Sequence, residues 1–346
     1  MTQPHDMVVV GAGPHGLCVT WAARRRGLRV LTLDSGAVCG GAWPRMWPEL
    51  RCLSRRADDT DPDGEPPLAA GPFATAGAVA TQWQRFAERH SLPVQLGKRV
   101  VRLEAVSGQF NLHTGDDVVL ARQVVVASGE MGAPQWNGLG DTLPERVIHV
   151  AQLTVAALGH CRRVVVVGAG NSAAQVATLA LQLGVDVALC ARTPPWTGWV
   201  WPPLPRLLRR RLARAPWLLS VLGRRCARRV PLQGRDLHDA MVAGRLTVHP
   251  QATAVQPGGV TLSDGQVLRG DLVVLCTGFR RELGWMAELA ACDASGWPLH
   301  HRGLSRQVPG LAFAGLLCTR TLDSGFLRGA VADAVALVDA LMGVRP

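Results

Sequence analysis

The 346-residue sequence contains no tyrosine and a single lysine, Lys98. The first absence removes the phenol group as a proton donor anywhere in the chain. No uninterrupted apolar run reaches the length of a bilayer, so a membrane-spanning helix is not expected. The nine cysteines include no Cys-x-x-Cys pair, and their number is odd. That pattern argues against a disulfide framework, a zinc ribbon and a dithiol redox centre. Reduced, mostly buried thiols are expected instead. The histidines, His300-His301 among them, have no metal-ligand spacing. They read as surface or loop residues, and no metal site is expected. The residues before Met7 carry no basic region followed by a cleavage site, so a cytoplasmic protein is expected.

The formal net charge is +11, carried almost wholly by arginine. Such a balance can mark nucleic-acid or anionic-membrane binding. No nucleic-acid motif accompanies it, so nucleic acid is not expected as a partner. Residues 206–229 hold nine arginines interleaved with leucines. They read as a helical subdomain with solvated arginines, and a basic helix lying on a membrane is the weaker alternative. Trp196, Trp199 and Trp201 precede this stretch. They either line an apolar cleft or serve as packing, and packing is the favoured reading. Asp59-x-Asp61-x-Asp63-Gly64 copies the opening of a calcium loop, but its twelfth position is Ala70, where a bidentate Glu is needed. No flanking helix is expected, and the segment reads as a solvated acidic loop.

What is present is a duplicated βαβ unit. Met7–Val10 is a short apolar strand, followed by Gly11-Ala12-Gly13-Pro14-His15-Gly16, a helix over Leu17–Arg26 and a strand over Leu28–Leu33. Here the first glycine permits a tight turn, and the second lets backbone approach a diphosphate. The third lets helix pack on strand, with the helix N-terminus facing the negative charge. Asp34, with Ser35 after it, ends the second strand. A carboxylate there can accept hydrogen bonds from ribose hydroxyls and would repel a 2′-phosphate. The second unit has the strand Val164–Val167, the turn Gly168-Ala169-Gly170-Asn171-Ser172-Ala173, a helix over Ala174–Leu183 and a strand over Val185–Cys190. Arg192 lies just beyond, where a guanidinium can grip a 2′-phosphate. Asn171 and Ser172 are candidates for contact with the nicotinamide cofactor. Two such sites imply hydride passage from NADPH on the second to a flavin dinucleotide, FAD, on the first.

The remaining pattern is a loop over 54–75, a helix over Ala76–His90, and strands over Val100–Val106, Gln109–Thr114 and Val124–Ala127. Further strands are expected at Leu246–Val248, Val260–Leu262, Leu272–Cys276 and Leu311–Gly315, and a closing helix over Gly325–Met342.

These motifs together resemble the flavin-containing monooxygenase-like branch of the flavoproteins with two dinucleotide-binding domains. That branch includes the YUCCA, Baeyer–Villiger and N-hydroxylase enzymes. Gly11–Gly16 is similar to the family's FAD turn. Gly40-Gly41-Ala42-Trp43, followed by Trp47-Pro48-Glu49-Leu50-Arg51, resembles its Gly-Gly-x-Trp segment along the flavin. Val126-Ala127-Ser128-Gly129 resembles the first Ala-Thr-Gly hinge. Asp271–Phe279, with Thr277-Gly278, resembles the second. Val308–Gly315 resembles the returning strand of the FAD domain. Two features depart from the family. The Phe-x-Gly-x-x-x-His fingerprint keeps only His149, and residues 54–75 hold no asparagine.

The resemblance implies an α/β fold with two Rossmann-like domains, the NADPH domain inserted into a discontinuous FAD domain. The expected division is 1–130 and 276–346 for FAD, and 131–275 for NADPH, with 206–229 as its arginine-rich insert. The implied activity is NADPH-dependent oxygenation of a small organic substrate by O2 through an oxygen adduct at flavin C4a. A reductase or oxidase on the same fold is the alternative. No side chain is assigned a catalytic role. The oligomeric state is open, and a homodimer is compatible with the sequence.

Overall fold

The computed structural model describes residues 3–52, 54–115, 117–140, 142–192 and 236–343. The 206–229 stretch and the three tryptophans at 196–201 lie outside them. The described residues form two compact units, 3–132 with 281–343, and 133–192 with 236–280.

In chain order the first unit opens with β1 (His5–Val10), α1 (Pro14–Arg25), β2 (Val30–Leu33), α2 (Ala76–Arg89) and β3 (Val94–Gln95). It continues with β4 (Arg102–Val106), β5 (Gln109–Thr114) and β6 (Asp117–Val126). The second unit holds β7 (Ala133–Pro134), β8 (Val147–His149), α3 (Val155–Gly159), β9 (Arg163–Val167), α4 (Asn171–Gln182) and β10 (Asp186–Cys190). It ends with α5 (Asp236–Val242), β11 (Leu246–His249), β12 (Ala252–Gln256), β13 (Gly259–Leu262), β14 (Val267–Arg269), β15 (Leu272–Leu275) and β16 (Phe279–Arg280). The chain returns to the first unit with β17 (His300–His301), β18 (Leu304–Ser305), β19 (Leu311–Phe313) and α6 (Ala330–Leu341).

The first unit's sheet runs β17-β18-β19-β6-β1-β2-β3, with β4 and β5 extending from β6 as an antiparallel meander. Its centre, from β19 to β3, is parallel. A parallel strand is covered on both faces, which is why Met7–Val10 and Val124–Val126 are unbroken apolar runs. One face packs α1, α2 and α6 around Leu17, Val79, Trp83, Phe86 and Val338. The other face covers Leu33, Leu103, Phe110, Phe313 and Met286. Helix α2 follows from apolar residues at helical spacing and from Thr75, whose hydroxyl accepts the Ala78 N–H at 3.3 Å.

The second unit has a parallel sheet in the order β11-β10-β9-β15-β8, beside a three-stranded antiparallel sheet β12-β13-β14. In both units the register aligns the carboxyl ends of the central strands. Val10 lies beside Leu33 and Val126, and Val126 beside Phe313. Val167 lies beside Cys190 and Leu275. The turns after these strands are therefore brought to one edge of each sheet. There the chain departs to opposite sides of the central strand, the usual place for a ligand in a doubly wound sheet.

Some sequence expectations are corrected. Helices α1 and α4 begin three residues early, at Pro14 and Asn171, because the second glycine of each turn is already the N-cap. The closing helix is two pieces, a 3-10 turn at Leu327–Gly329 and then α6. A Cβ on Gly329 would stand 2.2 Å from the Asp323 carbonyl oxygen, so the chain turns tightly there. The 54–75 loop is not a solvated acidic one. Asp59 and Asp61 are 0% and 2% exposed. Ser54 donates to Asp59, and Arg89 of α2 pairs with Asp61 at 2.8 Å. Burial raises the Asp59 carboxyl to about 6, against the opposing effects of Ser54 and of Arg328. Nor are the histidines all surface residues, since His149 is fully buried. Among the described residues no helix is long and apolar enough to cross a membrane.

Candidate functional site

The first glycine turn sits at the end of β1. Gly11 has φ +113, and a Cβ there would stand 2.4 Å from the Ala127 carbonyl oxygen. Only glycine meets both demands. Gly13 caps α1 in extended conformation without a side-chain cap, and Pro14 follows at N1. The first-turn N–H groups of His15 and Gly16 therefore have no capping side chain, as an anion site requires. A Cβ on Gly16 would lie 1.9 Å from the Gly11 carbonyl oxygen, so the third glycine is needed for helix-on-turn packing.

Four other segments close on this turn. Asp34 accepts the Ala12 N–H at 2.5 Å and the Gly36 N–H at 2.6 Å. Its carboxylate thus stands at the turn, with Ser35 exposed beside it. Gly40 donates to the Ala12 carbonyl at 2.9 Å. Gly41, at φ +65, lies so close that a Cβ would come within 2.9 Å of Gly13 Cα. Ser128 and Gly129 leave the end of β6 exposed to solvent. Gly315 faces His15, whose Cγ would be 3.2 Å from a Cβ there. The His15 Nε2 atom is buried and has no hydrogen-bond partner among the described residues. Burial takes the imidazole down to about 4, so it is neutral at pH 7. Trp43 begins a 3-10 turn and packs against the core. Arg51 is exposed at a backbone bridge with Thr75.

The second turn repeats the first at the end of β9. Gly168 has φ +131, and its Cβ would meet the Cys276 carbonyl oxygen at 2.5 Å. Gly170 caps α4 with no side-chain cap, and a Cβ there would meet nothing within 4 Å. The first-turn N–H groups belong to Asn171, Ser172 and Ala173. Ala173 is buried in the position that glycine holds in the first turn. Arg192 is exposed just past β10, the strand beside β9. Thr277-Gly278 lies beyond β15, on the other side of β9.

The sequence reading missed what fixes that last pair. Asn137 donates to the Thr277 carbonyl at 2.9 Å, and the Thr277 hydroxyl donates to the Gln135 carbonyl. His149 Nδ1 accepts the Ala151 N–H at 3.2 Å, so its proton sits on Nε2 and is donated to the Gly278 carbonyl at 3.0 Å. Trp136 and Phe279 meet the imidazole ring in edge geometry, at centroid distances of 5.6 and 4.9 Å. His149 was noted in sequence only as the remnant of a fingerprint. Its role here is to hold the hinge, neutral, since burial lowers its pKa.

Each unit can therefore present uncapped backbone donors to a diphosphate, with a carboxylate beside the first turn and an exposed arginine past the strand next to the second. Among the described residues no cluster of histidine, cysteine, aspartate or glutamate could hold a metal.

Comparison with known proteins agrees with this architecture. A curated relative, an uncharacterized oxidoreductase CzcO of Bacillus velezensis, is 24% identical over 98% of this chain and 99% of its own. A flavin-containing monooxygenase from Stenotrophomonas maltophilia superposes with a TM-score of 0.79 at 25% identity, covering 99% of both chains. An ornithine N-hydroxylase of Kutzneria sp. 744, solved with reduced FAD, NADP+ and L-ornithine, superposes with a TM-score of 0.74 at 17% identity. It covers 99% of both chains and shows the same fold. The resemblance read from the motifs thus holds, as does the expected fold of two Rossmann-like domains, one inserted into the other. Residues 8–214, more than half of the chain, match the pyridine nucleotide-disulphide oxidoreductase family, and the chain belongs to that family of oxidoreductases.

Proposed function

We propose that the protein is an NADPH-dependent FAD monooxygenase that oxygenates a small organic molecule with O2, in the cytoplasm. The observation that carries this reading is the pair of uncapped helix N-termini, each at the carboxyl end of a parallel strand, with opposite charges beside them. The relatives that superpose over the whole chain support it, one a flavin-containing monooxygenase and another solved with reduced FAD and NADP+.

The first unit is the FAD unit in this reading. The space above Gly11, Gly13 and Gly41 would take the diphosphate, with the His15 and Gly16 N–H groups donating to it. Pro14 fixes the helix start. The second lone pairs of the Asp34 oxygens would accept from a ribose, and its charge disfavours a 2′-phosphate. The buried His15 Nε2, without a partner among the described residues, is a polar atom of the kind that a bound polar ligand satisfies. Gly129 and Gly315 leave room for the remainder. Trp43 and Arg51, on the Gly-Gly-x-Trp segment, are assigned to the same cofactor. In the second unit the N–H groups of Asn171, Ser172 and Ala173 would hold the diphosphate of NADPH. Gly168 and Gly170 make room for it, and Arg192 would pair with its 2′-phosphate. Thr277, held by Asn137, and Gly278, held by His149, would border it. Bound together, the two cofactors would supply the hydride and the activation of oxygen.

The test is direct. The purified protein should be yellow, oxidise NADPH faster than NADH, and consume O2 in step with an oxygenated product from amine, sulfide or ketone candidates. NADPH oxidation with O2 untouched would replace oxygenation by reductase chemistry. A colourless protein indifferent to both cofactors would sink the whole proposal.

A further inference from the structure

The first unit contains a small, partly open recess at the carboxyl ends of β6 and β19. Ser128, Gly129 and Gly315 line its rim, and Leu283, Pro298 and Leu316 are among its apolar walls. Among the described residues one charged side chain lines it, Arg281. This arginine is held in place. Its Cζ lies 4.2 Å from the centroid of the Trp297 ring, and its Nη2 donates to Glu130. Its Nε, by contrast, is buried and finds no acceptor among the described residues. A guanidinium N–H that has given up water without gaining a partner is unfavourable, and such donors in folded proteins ordinarily meet an acceptor. The recess beside the guanidinium is partly open to solvent. Gly129 and Gly315 both have φ near +80, at +79 and +77, and neither brings a side chain to the rim. A Cβ on Gly129 would meet nothing within 4 Å.

We propose that this recess is an oxyanion subsite, with Arg281 as the group that binds the anion. A phosphate or carboxylate oxygen receives the Nε–H, and the Ser128 hydroxyl is a second donor at the rim. Low polarity in the walls strengthens both bonds. Glu130 aims the guanidinium and also counters part of its charge. The same chemistry has two sources. One is the diphosphate of FAD, whose turn ends the neighbouring strand, and this source rests on the reading above. The other is the carboxylate of a small substrate whose apolar body lies on Leu283, Pro298 and Leu316.

Calorimetry on the full chain distinguishes them, with inorganic pyrophosphate and benzoate as probes, on FAD-free and FAD-loaded protein. In FAD-free protein, Arg281→Met is expected to weaken pyrophosphate binding about 10- to 100-fold, the loss typical of a charge-assisted hydrogen bond. Arg281→Lys should recover part of it, and Glu130→Gln should tighten binding relative to the parent protein. If FAD is the source, its affinity falls with Arg281→Met, and FAD loading removes the Arg281-dependent pyrophosphate binding. If a substrate carboxylate is the source, FAD affinity is unchanged, and FAD-loaded protein binds benzoate only with Arg281 in place. Should Arg281→Met fail to fold, Arg281→Lys and Glu130→Gln carry the decision. Unchanged affinity for both probes and for FAD in the folded variants overturns the proposal. A protein that binds pyrophosphate through Arg281 yet takes no FAD would refute the flavoenzyme reading and leave the subsite standing.

Discussion

The two glycine turns share a sequence pattern and differ in what presses on them. In the first, added Cβ atoms at Gly11, Gly16 and Gly41 would each come within 3 Å of the unit's own backbone. In the second only Gly168 is confined in that way, and a Cβ on Gly170 would meet nothing within 4 Å among the described residues. The first turn is a packed structural joint that also leaves donors free. The second is a joint at one glycine and an open seat at the other. Identical letters thus serve two ends, and the surroundings decide which glycine belongs to the fold and which to a ligand.

The sharpest break of that comparison is Gly16→Ala against Gly170→Ala. The first should destabilise the protein by about 3 kcal/mol or more, because backbone must move. The second should leave the unfolding midpoint within about 0.5 kcal/mol of the parent and weaken NADPH about 10-fold. Urea unfolding and nucleotide titration read the two. Equal stability losses would end the distinction. Next in size is Arg192→Ala, which should raise KM for NADPH about 10- to 100-fold and leave that for NADH unchanged. Parallel changes in both would mean that Arg192 does not read the 2′-phosphate. Asp34→Asn keeps the shape and loses the charge that accepts the Ala12 and Gly36 N–H groups. About a 10-fold loss of FAD affinity is expected, measured by flavin fluorescence.

A further contrast between the units is by pH. Asp59, in the first unit, titrates near 6 when folded against an ordinary value of 3.8. The folded state therefore holds a proton that the unfolded state has released between those values. Its contribution favours folding increasingly as pH falls from about 6 toward 3.8, by at most about 3 kcal/mol. Asp333 behaves likewise, raised to about 6 by burial. Asp271, in the second unit, is lowered by the N–H groups of Arg163 and Arg162, so its contribution is lost as pH falls through its folded value. His15, taken down to about 4, opposes Asp59, since the unfolded state binds the proton first between 6.5 and 4. The quantity to measure is the difference between the parent protein and Asp59→Asn in urea midpoint from pH 7 to 4. A pH-independent difference would show that Asp59 is already charged at pH 5.

The glycine turns, Asp34 and the parallel strands were legible because their constraints are local. A strand buried on both faces must be apolar, and a tight turn against a helix must be glycine. The short strands β7, β16, β17 and β18 were not legible. They are two-residue pairings created by tertiary contact, with no period of their own. The acidic loop misled for a related reason, since Asp59 and Asp61 look solvated until Ser54 and Arg89 arrive from other turns and helices. Arg281 was one arginine among many. Nothing in its neighbourhood announced Glu130, 151 residues away, and its Trp297 platform sits in a loop without a motif.

The ribbon β7–β16 has a consequence for the history of such a chain. Pro134 pairs with Phe279, and Ala133 with Arg280, so the polypeptide leaves for the second unit and comes back at one spot. To the host, a long visitor of this kind resembles a hairpin whose ends already touch, and little additional closure entropy falls on the sheet that receives it. A nucleotide-binding cassette with joined ends can be spliced into a sheet, exchanged or enlarged while the strands on either side keep their register.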